Sequence, residues 1–81
     1  MEENVFYVRL RRRKGLKKAG YLVRRERNRF GGTKTRSKAT QYSCRGDAER
    51  DIVTIIGNLA QSGLIADVMT IRQIKEYDKI S

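Results

Sequence analysis

Val5-Phe6-Tyr7-Val8-Arg9-Leu10 is the stretch from which the fold can be read. It is β-branched, aromatic and alternating. That pattern predicts a strand with Phe6, Val8 and Leu10 on one side of a sheet and Val5, Tyr7 and Arg9 on the other. Residues 11–20 follow, six of them Lys or Arg, with Gly15 and Gly20 able to permit a turn. They read as a basic hairpin loop or a frayed extension of the strand.

Tyr21-Leu22-Val23 restarts the strand pattern, which continues through Arg24, Arg25, Glu26, Arg27, Asn28 and Arg29 and is expected to end at Gly31-Gly32; a helix, which Arg and Glu also favour, is the competing reading. Residues 39–44 read as a third, weaker strand. A helix is expected next. Asp47 suits an N-cap, Glu49 and Asp51 fall where carboxylates favour the positive end of the dipole, and Gly63 suits a C-terminal cap. Ala48, Ile52, Ile55, Ile56 and Leu59 recur at spacings of three and four, forming one apolar face. Gly57 lies beside Val53 and Ala60, where its expected benefit is close approach to the sheet. Residues 65–77 carry Val68, Met69, Ile71 and Ile74, which read as a final strand with a short C-terminal helix as the alternative.

The expected class is therefore α+β, a single domain over residues 1–81. A small antiparallel sheet of three to four strands carries one helix across one face, in the order β-β-β-α-β. No internal repeat interrupts it.

Charge divides the chain in two. It carries 19 Lys and Arg against 9 Asp and Glu, a net +10. Fifteen of the basic residues and three of the acids precede Asp47, so the whole excess belongs to residues 1–46, and residues 47–81 are slightly acidic. Glu26 is the only acid between Glu3 and Asp47. Unrelieved like charge opposes folding, so its retention points to a polyanion that relieves it.

Catalysis has little to work with. The chain has no histidine and one cysteine, Cys44, so a multi-ligand zinc site and an intramolecular disulfide are not expected. Cys44 beside Arg45 is read as a small packing residue rather than a nucleophile. Gly31-Gly32-Thr33-Lys34-Thr35 lacks the first glycine of a P-loop and reads as a flexible turn. No enzyme activity, cofactor or metal is expected. The start, Met1-Glu2-Glu3-Asn4, is acidic where a signal peptide is basic, and no run approaches the length of a membrane span. A cytoplasmic, reducing setting is expected, without stable membrane association.

The candidate phosphate-binding residues are Arg9, Arg11, Arg12, Arg13, Lys14, Lys17, Lys18, Arg24, Arg25, Arg27, Arg29, Lys34, Arg36 and Lys38. Arginine predominates, and its planar fork suits bidentate contact with phosphate or guanine edges. Tyr7, Tyr21, Phe30 and Tyr42 lie among these runs and are candidates for base stacking, Phe30 having the weakest packing role.

Three Arg-rich strands followed by Tyr42-Ser43-Cys44-Arg45-Gly46-Asp47-Ala48-Glu49 and an apolar-faced helix resemble, in element order, the three-stranded-sheet-plus-helix DNA binders. The ethylene-response-factor domain and the arm-binding domain of tyrosine integrases are examples. The resemblance spans residues 5–63 and implies a sheet face that lies in the major groove and reads bases through arginine. The expected function is nucleic-acid binding, to DNA or RNA. The alternative is an inhibitor or adaptor, of the kind phages and mobile elements encode, whose basic face meets an acidic or nucleic-acid-binding protein.

Overall fold

The computed structural model describes residues 5–14, 18–26 and 29–80. Four strands, β1 (Phe6–Arg12), β2 (Lys18–Glu26), β3 (Arg29–Thr33) and β4 (Leu64–Thr70), form one antiparallel sheet in the order β3-β2-β1-β4. Helices α1 (Arg45–Thr54) and α2 (Ile56–Gln61) precede β4, and α3 (Ile71–Ile80) follows it. The class is α+β with helices against the sheet.

The alternation in β1 builds two cores. Val8 and Leu10 join Leu22, Tyr42, Ala48, Ile55 and Leu59 on the first face, with Phe6, Phe30 and Val68 packed against them. On the second face Tyr7 joins Tyr21, Ala39 and Ile74, flanked by Val5, Met69 and Ile71. Val8 and Ile74 are fully buried, each worth about 1.5–3 kcal/mol of removed apolar surface.

Several elements differ from the sequence reading. β1 runs on to Arg12 because β4 pairs with it, Arg11 opposite Ile65 and Arg12 opposite Leu64, and Asp67 relieves the charge of Arg11. Gly31-Gly32 is not a turn but the middle of β3, opposite Val23 and Leu22. The expected third strand over residues 39–44 is instead a narrow wedge between β1 and β2. The N–H groups of Phe6 and Tyr42 donate to each other's carbonyls, at 2.8 and 2.9 Å. On the other flank Thr40 N–H donates to Leu22 O, and Arg24 N–H donates to Thr40 Oγ1.

The helix opens at Arg45, with Cys44 rather than Asp47 in the N-cap position, and breaks at Ile55 into α1 and α2. The break falls within a β-branched run from Ile52 to Ile56, a costly composition for a helix. Thr54 Oγ1 also donates back to Arg50 O at 2.9 Å, a bond that bends helices. Around the break Ile55 and Leu59 are buried, whereas Ile56 is 60% exposed and Val53 67%. Gly57 has open space where a side chain would stand, so close approach does not explain it.

Residues 65–77 divide between strand and helix. Thr70 and Gln73 make the switch: Thr70 N–H donates to Gln73 Oε1 at 2.9 Å and Gln73 N–H to Thr70 Oγ1 at 3.2 Å. This is a reciprocal capping box at the start of α3. Among the described residues no helix is long and apolar enough to cross a membrane.

Candidate nucleic-acid interface

Strand direction and register decide where the cations gather. The end of β1, the start of β2, the end of β3 and the start of β4 share one end of the sheet: Arg11 is opposite Lys18, Tyr21 opposite Thr33, and Arg12 opposite Leu64. Gly20, at φ 115°, brings β2 against the backbone of Thr33 and Lys34 there. Arg13 N–H donates to Gly63 O at 2.8 Å, holding the exit of β1 beside the α2–β4 turn. Arg12, Arg13, Lys14 and Lys34 are thus exposed at one end, and none has a carboxylate within 4 Å among the described residues. Arg36 and Lys38 extend this group along a 3₁₀ turn, Arg36–Lys38.

The other candidates are distributed differently. Arg25 is exposed on the second face, its guanidinium lying across Gly31, where a Cβ would meet Nε at 2.6 Å. Arg29 pairs with Glu26 at 3.6 Å on the surface. Arg24 projects from the first face toward Asp51, 3.9 Å away, into a polar hollow of about 210 Å³ shared with Arg50 and Asp47. Arg11 donates from Nε to Asp67 Oδ2 at 2.8 Å; that hydrogen bond and the carboxylate charge hold its pKa above the ordinary arginine value. Lys17 and Arg27 lie outside the described residues, and Lys18 is placed only as the first residue of β2.

Arg9 is a structural residue. It is 4% exposed, its guanidinium 4.4 Å from the Tyr21 ring centre and 5.6 Å from that of Tyr77. It donates to Gly20 O at 3.4 Å and to Asp78 Oδ1 at 3.2 Å, leaving its Nε without a partner among the described residues. These contacts clamp α3 across β1. The residues that follow β3 and α3 together cover the middle of the second face, so it is not the open, base-reading surface implied by the three-stranded DNA binders.

Three of the four aromatic candidates are buried. Tyr7 and Tyr21 meet edge to face at 6.4 Å, and Gln41 Nε2 donates to the Tyr7 hydroxyl. Burial pushes the Tyr21 phenol above its ordinary pKa. Tyr42 is enclosed by the first core, where burial and the hydrogen bond to Asp51 hold its phenol far above the ordinary range. Only Phe30 is half-buried, at the margin of the first core.

Cys44 is exposed rather than packed. Arg45 and Arg50, absent from the sequence-derived candidates, add cations on the α1 side, Arg45 lying 5.5 Å from the Phe6 ring centre. Their signal was the helix itself, whose N-terminal turns project side chains beside the wedge. Among the described residues no group of three or more acids or cysteines is placed to hold a metal ion. Comparison with known protein families, curated proteins and solved structures finds no match for the chain.

Proposed function

We propose that the chain is a non-enzymatic nucleic-acid-binding protein that contacts phosphates with the basic end of its sheet. The observation that carries this reading is the convergence of Arg12, Arg13, Lys14 and Lys34, exposed and without carboxylate partners among the described residues, at one end of the fold. Arg36 and Lys38 widen the positive surface. Such a field attracts polyanions and gains free energy by releasing their counterions. Because phosphate contacts carry no sequence information, binding is only moderately sequence-specific, to DNA or RNA. The exposed free thiol of Cys44 supports a reducing, cytoplasmic setting for this activity.

The test is the salt dependence of binding to duplex DNA and to RNA. Neutralising about six to eight phosphates gives a log–log slope of about −5 to −7 on duplex DNA. A slope near zero on both polymers removes the reading.

A further inference from the structure

The first face of the sheet is only partly roofed. Helix α2 packs toward β4, and the β2–β3 side below it is left as an open cleft of about 290 Å³. Leu10, Leu22, Ile55 and Leu59 form its apolar floor and wall, Phe30 lines it from β3, and Asn58 and Ser62 stand among its lining residues on α2 and its cap. The cleft persists because Gly32, on the same face, puts no side chain into it. A Cβ there would meet Tyr21 O at 3.8 Å and Leu10 Cδ1 at 4.0 Å, both ordinary contacts.

Two cations flank this apolar space. Strand alternation puts Arg12 on the same face as Leu10, and Arg24 on the same face as Leu22. Each is about 7 Å along its strand from the leucine that lines the cleft. Both are exposed. An apolar slot near the small end of the ligand-pocket range, about 300–1,000 Å³, with one aromatic wall and an amide among its lining groups, suits a single flat heterocycle. Positive charge beyond both ends suits the phosphates on either side of it.

We propose that this cleft receives one unpaired nucleobase of a single-stranded nucleic acid, stacked on Phe30, with Arg12 and Arg24 holding the flanking phosphates. The inference rests on the nucleic-acid reading above and adds to it a preference for single strands. Stacking on an aromatic side chain is sequence-tolerant, because every base offers a π-face. Asn58 supplies both a donor and an acceptor for the base edge.

The experiment compares three probes of equal phosphate number. They are a single-stranded oligonucleotide with 2-aminopurine at its centre, the same strand with an abasic linker at that position, and a duplex. The expected result is a rise in the 2-aminopurine emission on binding, as the base leaves its stacked neighbours for the cleft, and about tenfold weaker binding of the abasic strand. Two variants separate the cleft from the fold. Phe30→Leu keeps an apolar side chain but removes the stacking ring. Gly32→Val fills the cleft and, with β-branched character in a strand, keeps or raises the melting temperature. Both should lower single-strand affinity about tenfold while leaving duplex affinity and its salt slope unchanged. Equal binding of base-bearing and abasic strands, or a well-folded Gly32→Val protein that binds the single strand like the wild type, overturns the base site while leaving phosphate binding standing. Loss of salt-dependent binding to all three probes in the wild type instead overturns the reading on which it rests.

Discussion

The Tyr42 hydroxyl donates to Asp51 Oδ2 over 2.6 Å, and both residues are buried. This bond joins the wedge of residues 40–42 to α1. Asp51, which in sequence looks like a carboxylate placed for the helix dipole, is an acceptor enclosed in the first core's margin, with Arg24 as a more distant cation. Tyr42 therefore organises the fold rather than presenting a ring to a ligand.

Tyr42→Phe should lower stability by about 1.5–3 kcal/mol in urea denaturation, since it leaves a buried carboxylate without its donor. The wild-type pH profile should carry the same signature. The folded phenol titrates above its unfolded value of about 10, so the protonated Tyr42 stabilises the fold fully below that pH, and the contribution is lost as pH rises beyond it. Tyr42→Phe should flatten the decline above about pH 10. A variant with the wild-type midpoint would show that the bond contributes nothing.

Ile55 and Ile56 are neighbours with opposite roles. Ile55→Asp places an unpaired charge in the first core and should abolish the cooperative thermal transition. Ile56→Asp, at a 60% exposed position, should shift stability by no more than about 0.5 kcal/mol. Equal melting of the two proteins would mean that Ile56 is as buried as Ile55 in solution.

Two glycines should respond oppositely to alanine. Gly57→Ala meets open space and removes a helix-destabilising residue, so it should add about 0.5–1 kcal/mol. Gly20→Ala must hold φ 115° and collides with the Thr33 carbonyl oxygen, so it should cost about 1–3 kcal/mol or more. Calorimetry on the two variants checks both signs.

Fold and binding should separate within the arginines. Arg9→Met should lower the melting temperature by loosening α3, with the salt slope of binding unchanged. The triple change of Arg12, Arg13 and Lys14 to alanine should leave the melting temperature nearly unchanged, because exposed like charges repel. It should make the slope shallower by about 0.9 for each phosphate that is no longer neutralised. Were the triple variant to bind normally, the interface would lie elsewhere on the chain.

The two-faced reading of β1 was available from alternation alone, because Val5 through Leu10 change side with period two whatever covers them. What covers them was not. Arg9 falls on the predicted face, yet its burial depends on Tyr77 and Asp78, which arrive from the far end of the chain. β3 was hidden because Gly31-Gly32 has the local chemistry of a turn, while its strand conformation comes from pairing with β2. A helical period carried Ile56 into the core, but the face that is buried runs through Ala48, Asp51, Ile55 and Leu59, and Ile56 lies on its flank. The start of α3, read from sequence only as an alternative to a longer strand, did carry a signal in Thr70 and Gln73, a spacing that marks a helix N-terminus inside an otherwise strand-like apolar run. For the site, the sign and position of the charge were visible in sequence, and the cleft beside Phe30 was not, since an empty space is made by several distant residues together.

The wedge of Thr40, Gln41 and Tyr42 has a kinetic consequence. β1 and β2 resemble an autonomous hairpin, but their direct register covers only Arg9 opposite Tyr21, Leu10 opposite Gly20 and Arg11 opposite Lys18. Beyond Arg9 the seam is filled by residues from far downstream, and the outer flank of β1 waits for β4. A chain ending at Thr33 would thus have its two longest strands joined along a short stretch only, and neither face of β1 covered. Folding is governed by non-local closure, so the sheet should form late and all at once, at a rate set by contact order more than by chain length.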